Sequence, residues 1–208
     1  MPGTYMSKDM NTKLAYGRTG LTVNLPDNAD YVVDIVAAPS LPGALNPSMA
    51  LLGAIRNPIG TPPLAELVKA GDTVVIVHSD ITRPTPNDLI MPVLLAELES
   101  AGVRREDITL LAGLGTHRQQ TELESRALLG DAVYENYRCL QHDAWDDENL
   151  VALGETSLGN QLRVNRLLVE SDVRLYTGFI EPHLFAGYSG GPKAVLPALC
   201  GQQRVLTN

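Results

Sequence analysis

Cysteine is scarce in this chain: 208 residues carry two, Cys139 and Cys200. That is too few for a disulfide framework, and they form no CxxC pair of the kind that holds zinc, so reduced thiols in a cytoplasm are expected. Long apolar runs are missing too. No stretch approaches the roughly 20 apolar residues needed to cross a bilayer, and Met1 to Lys13 is polar where a signal peptide would be apolar. A soluble, cytoplasmic protein without a membrane partner is the expectation. Basic residues are outnumbered, 16 Lys and Arg against 24 Asp and Glu, for a net charge of −8. No basic face is left to collect phosphates, which argues against a nucleic-acid partner but permits a local anion site. The chain has no HExxH and no Cys/His ligand spacing, so nothing supports a metal ion bound wholly by its own residues.

What is present reads as an ordinary globular protein, 44% apolar and 19% charged. The length suits one core, and a single domain over 1–208, or 14–208 after the polar lead, is expected. Leu21 to Leu25 and Tyr31 to Val36, separated by Pro26-Asp27-Asn28, predict a small N-terminal β element. Helices are predicted over Pro47 to Arg56 and Leu64 to Ala70. Thr73 to Val77 is a continuous apolar run of the kind buried on both faces of a parallel sheet. A helix follows from Asn87, read as its N-cap, to Ala101, and Gly102 stops it. Ile108 to Ala112 is the next strand, and Thr121 to Glu124 is a capping box opening a helix that ends at Gly130. Tyr137 to Leu140, Leu162 to Val169 and Val173 to Phe179 complete the strand candidates. A helix opening at Pro192 is interrupted by Pro197, and Gly201 to Asn208 reads as the start of another helix with no stop signal. This alternation predicts an α/β fold, Rossmann-like, with an open, mostly parallel sheet and helices on both faces. Ligands then sit outside the carboxyl ends of the strands.

Three polar loops lie at such ends. Ser79 to Asn87 offers Asp80, Thr82 and Arg83; the guanidinium can grip a carboxylate or phosphate through two parallel hydrogen bonds, unless the loop is a rigid turn in which Asp80 pairs with Arg83. Gly113 to Arg118 carries His117, at a helix entry where an imidazole suits either proton transfer or capping. Glu181 to Lys193 crowds His183, a Ser189-Gly190-Gly191 turn and Lys193 into one connection. Glycine lets backbone approach a ligand closely, and Lys193 serves either as a point charge for phosphate or as an amine that carries a cofactor covalently. His78 reads as structural beside its strand, and His142 lies in an acidic, surface-like segment; neither is placed in the site.

In order and in near spacing, Tyr16-Gly17, Ser79 to Pro86, Gly113 to Arg118 and Glu181 to Pro197 resemble the N-terminal domain of the nickel-dependent lactate racemase family. The His-Leu-Phe-Ala-Gly-Tyr-Ser-Gly-Gly-Pro-Lys run is the most specific of these. The resemblance implies an isomerase, a racemase or epimerase of small 2-hydroxy acids that works through proton-coupled hydride transfer to a nickel-pincer nucleotide. This cofactor is a pyridinium-3,5-bisthiocarboxylic acid mononucleotide joined to the lysine that Lys193 matches. It further implies that His117 and His183 are the acid/base pair, that Arg83 orients the substrate carboxylate, and that Asp80, Thr82, Ser189, Gly190 and Gly191 hold the cofactor. The family's nickel-binding histidine would follow Thr207-Asn208, and its C-terminal domain lies beyond these 208 residues. An isolated chain is therefore expected to be an inactive domain fragment without cofactor. Ala198 stands where the family has glycine, which would crowd that bend. Two other readings fit the residues: a non-catalytic phosphate- or nucleotide-binding module, and an enzyme using Lys193 as a Schiff-base amine.

Overall fold

The computed structural model describes residues 10–17, 19–25, 33, 42–157, 159–184 and 186–203. The chain divides into two compact units, Met1–Gly43 and Ala44–Asn208. In the first, β1 (Met10–Leu14) and β2 (Leu21–Leu25) form an antiparallel hairpin with Met10 opposite Leu25. The Gly20 N–H donates to the Tyr16 carbonyl, and Gly17 and Gly20 take positive φ in the connection. β2 is thus formed as expected, but its partner comes from the stretch read as a polar lead. The expected strand Tyr31 to Val36 falls, apart from Val33, outside the described residues.

The second unit runs α1 (Pro47–Arg56), α2 (Leu64–Leu67), β3 (Val74–Ser79), α3 (Asn87–Ser100), β4 (Ile108–Gly113), α4 (Glu122–Leu129), α5 (Asp131–Asn136) and β5 (Arg138–Gln141). It continues with β6 (Leu150–Glu155), β7 (Gln161–Asn165), α6 (Arg166–Glu170), β8 (Val173–Tyr176), the two-residue strands β9 (Pro182–His183) and β10 (Gly187–Tyr188), and a 3-10 turn at Gly191–Ala194. The central sheet has the order β5-β4-β3-β8, and every pairing in it is parallel. Val74, Ile76, Ile108 and Leu110 pack on one face against Met91, Leu95 and Leu98 of α3, with Leu129 and Val133 of α4 and α5. Val75, Val77 and Leu111 pack on the other against Val164, Leu168, Leu199 and Cys200. Both faces of β3 and β4 are therefore covered, which is why their sequences are apolar without alternation. The faces are covered unequally: the second receives one short helix, α6, and the rest comes from β7 and the turns that follow Lys193.

Asn87 is not the N-cap of α3, because Pro86 occupies that position; Asn87 is the first helical residue, fully buried, with both ends of its amide unpartnered among the described residues. The helix from Leu64 stops at Leu67, and the Lys69 N–H goes to Asp72 Oδ2. The strand expected over Leu162 to Val169 breaks at Asn165, whose side chain accepts from the Leu167 N–H and caps α6. β6 went unread because, past Leu150, its residues are largely exposed and carry no alternation. The helix expected from Pro192 is a single 3-10 turn. Residues Gln202 and Gln203 are helical; those after them lie outside the described residues.

His142 is not on an acidic surface but buried. Its Nε2 lies 3.1 Å from the Cys200 carbonyl, its Nδ1 3.2 Å from Asn165 Nδ2, and its N–H donates to Ala112. Burial lowers the pKa of His142 and pulls that of His78 down to about 4. Both rings bind a proton less readily folded than unfolded, so their contribution is complete above the unfolded value of 6.5 and declines as pH falls below it, for His78 until about 4. Urea unfolding at pH 7 and pH 5 should show a loss of about 2 kcal/mol on acidification, with H78N flattening the slope. A stability that does not change over this range would contradict the burial argument.

Candidate functional site

β3 sends the chain to β4 on one side, while β8 pairs on its other side. A doubly wound sheet binds ligands at such a switch point, outside the carboxyl ends of its strands. A cleft opens there, and Asp80, Arg83, His117, Ser189, Gly190 and Lys193 all line it. His78, read as structural, is buried in β3 and also borders it. His183 is on β9 and is not a lining residue, although the charges of Lys193 and Arg83 reach it. Thr82 and Gly191 also stand outside the lining.

Asp80 is the first residue past β3 and is 5% exposed. One carboxylate oxygen accepts from the Thr82 N–H at 3.0 Å and from the Thr82 hydroxyl; the other lies 2.5 Å from His117 Nδ1. Burial alone would raise the Asp80 pKa, but the bonds from His117 and Thr82 outweigh it and hold the carboxyl below its ordinary value. An ionised carboxylate only accepts, so His117 Nδ1 carries a proton, and in the neutral ring the lone pair is on Nε2, on a side chain 53% exposed. Two glutamines that belong to no sequence motif, Gln120 and Gln141, hold this arrangement. Gln120 Oε1 accepts from the Ile81 N–H, while Gln141 Oε1 accepts from the Gln120 N–H and Gln141 Nε2 donates to the Gln120 carbonyl. Gln141 ends β5 and Gln120 precedes the N-cap of α4, and neither position carries a pattern from which this could be read.

The Arg83 guanidinium does not pair with the Asp80 carboxylate; only the Arg83 backbone N–H donates to the Asp80 carbonyl, at 3.2 Å. Arg83 Nη1 donates to Glu181 Oε1 at 3.1 Å, and Glu181 was given no role by the sequence. Across the cleft, Ser189 spends its hydroxyl on the backbone, donating to the Phe179 carbonyl at 2.6 Å and accepting from the Glu181 N–H at 3.1 Å. Gly190 has φ 71°, and a Cβ there would lie 3.2 Å from the Phe179 carbonyl oxygen, so only glycine fits this close backbone contact. Gly115 donates its N–H to the Ala198 carbonyl, and a Cβ on Gly113 would meet the Ala198 methyl at 3.1 Å; that methyl does fill the bend.

Lys193 sits on the 3-10 turn and makes no side-chain hydrogen bond or ion pair among the described residues. Burial and the neighbouring Arg83 charge lower its pKa, against the pull of Asp80 and Glu181. His183 Nδ1 accepts from the Ala186 N–H at 3.1 Å, which requires a ring without a proton on Nδ1. Partial burial, Lys193 and Arg83 all lower its pKa and favour that neutral ring. The neutral forms of the two imidazoles are therefore opposite tautomers. No group of three or more His, Cys, Asp or Glu gathers to hold a metal ion among the described residues.

The family described as Lactate racemase N-terminal domain matches residues 16–208. The chain is 35% identical to the lactate racemase of Thermoanaerobacterium thermosaccharolyticum, over 95% of this chain and 46% of that protein. It is 32% identical to the lactate racemase of Lactiplantibacillus plantarum, over 94% and 46%. Among solved structures it is similar to the lactate racemase apoprotein of the former organism, with TM-score 0.79 and 34% identity over 95% of this chain and 45% of that one. A Thermotoga maritima protein matches with TM-score 0.58 and 26% identity, over 74% and 38%. The chain thus spans about half the length of the curated relatives it matches.

Nitrogen NMR of His117 in the neutral ring should report the proton on Nδ1, and D80A should shift the balance to Nε2–H, the form a free histidine side chain prefers. An Nε2–H tautomer in the unsubstituted protein would contradict the Asp80 contact.

Proposed function

The chain belongs to the lactate racemase N-terminal domain family, and we propose that it forms the cofactor-bearing half of a racemase or epimerase of small 2-hydroxy acids. The observation that carries this reading is one cleft lined by a guanidinium, a carboxylate-backed imidazole and an amine: Arg83, His117 and Lys193. A phosphate-binding module would use the guanidinium and the amine but has no need of a buried aspartate fixing an imidazole tautomer.

Inverting a 2-hydroxy acid by hydride transfer takes the hydroxyl proton and the Cα hydride away and returns both, the hydride to the other face. Arg83 grips the substrate carboxylate. His117 Nε2 takes the hydroxyl proton, and Asp80 stabilises the imidazolium that results. His183 serves the opposite enantiomer, and to act as a base at Nε2 it must first give up the bond from the Ala186 N–H. Lys193 is the anchor for the nickel-pincer nucleotide. The fit is good: its amine lines the cleft and is unpaired among the described residues, and its lowered pKa favours the neutral nucleophile. When bound, that group supplies an acceptor for the Cα hydride. Gly190 keeps the turn against the Phe179 backbone beside Lys193, whereas Asp80, Thr82 and Ser189 support the site through His117 and the turn. Turnover is proposed for this domain together with the remainder that its relatives possess; the 208-residue chain alone is expected to give none.

Full-length protein made alongside cofactor-building enzymes should yield a modified Lys193 peptide by mass spectrometry and bound nickel. An unmodified lysine without nickel would contradict the reading. Racemisation of lactate deuterated at Cα should retain the label in ordinary water, while loss of deuterium to solvent would replace hydride transfer by proton abstraction. H117A should lower racemisation by about 100-fold or more.

A further inference from the structure

We infer that Glu181 is a positioning residue: it holds the Arg83 guanidinium by one nitrogen and leaves the opposite edge to the substrate carboxylate. The inference deepens the racemase reading and rests on it. Arg83 lies in the loop after β3, and Glu181 is 98 residues further on, immediately before β9. Their contact, Nη1 to Oε1 at 3.1 Å, is the one side-chain hydrogen bond of Arg83 among the described residues, so Nε and Nη2 keep their donors for a ligand. That edge presents two parallel N–H groups, the geometry a carboxylate accepts bidentately.

Glu181 is itself held rigidly. Its N–H donates to Ser189 Oγ, its carbonyl accepts from the Ser189 N–H at 2.9 Å, and Ser189, 4% exposed, gives its own proton to the Phe179 carbonyl. The serine of the glycine-rich turn therefore acts on the glutamate, and the glutamate on the arginine. Both members of the ion pair remain partly exposed, at 24% and 32%, and such a pair contributes little to stability. Its value lies in orientation, because a guanidinium already fixed loses less freedom when substrate binds. Glu181 also stands two residues before His183, so one contact ties the carboxylate clamp to the segment carrying the second imidazole.

The test uses full-length, cofactor-loaded protein, with lactate as substrate and propionate, which lacks the hydroxyl, as a probe of the carboxylate grip alone. E181A should raise KM and the propionate inhibition constant about tenfold while kcat changes less than about threefold. E181Q, whose amide oxygen still accepts from Nη1, should stay within about threefold of wild type in both constants. E181D keeps the charge but withdraws it by one methylene, so it should resemble E181A, and it carries the test if E181A does not fold. Wild-type constants in E181A or E181D, or tighter propionate binding on removal of the carboxylate, would overturn the inference while leaving the racemase reading intact. A wild-type protein that neither binds propionate nor racemises lactate would overturn both.

Discussion

Burial of β3 on both faces is the constraint from which the site follows. A strand covered by α3 on one side and by α6 and β7 on the other has one place to release polar groups, its carboxyl end, and Asp80 is the first residue there. The parallel pairings with β4 and β8 bring two further carboxyl ends to the same level. His117 and the segment from Thr177 to Lys193 are thereby delivered to Asp80 and Arg83 from sequence distances of 37 and 98 residues. Loop geometry then needs only local ties, and Gln120, Gln141 and Thr82 provide them.

Two carboxylates divide the work of orienting two cationic or basic groups. Asp80, deeply buried, selects which nitrogen of His117 bears the proton; Glu181, partly exposed, selects which edge of Arg83 stays open. The difference in burial matches the difference in task. Fixing a tautomer needs a short, strong contact in a water-poor setting, whereas steering a guanidinium that must still meet a ligand tolerates solvent. Lys193, set among Arg83, Asp80 and Glu181 without being paired to either acid, is left chemically available.

The parallel sheet was legible because continuous apolar runs such as Thr73 to Val77 have few alternatives once capping signals like Thr121-Glu124 delimit the helices beside them. Arg83, His117 and Lys193 line one cleft and were singled out by sequence because their segments resemble a known family and follow predicted strands; His183, singled out with them, is not among the lining residues. What stayed hidden was how these groups pair with one another. Nothing in Ser79 to Pro86 tells Asp80 to choose His117 over Arg83, since that choice depends on a strand register joining segments far apart in sequence. The burial of His142 was equally unreadable, because its partners Asn165 and Cys200 come from β7 and from the turns after Lys193. Asn165 was misjudged for a related reason: the apolar residues around it fit a strand, and only its side-chain bond to Leu167 shows that a helix begins there.

The account turns on one substrate pose, and a crystal structure of the full-length, cofactor-loaded protein with lactate bound would test it most directly. The lactate carboxylate is expected on the Nε–Nη2 edge of Arg83, with the hydroxyl within hydrogen-bond distance of His117 Nε2. A carboxylate bound away from Arg83, or a hydroxyl out of reach of both His117 and His183, would contradict it.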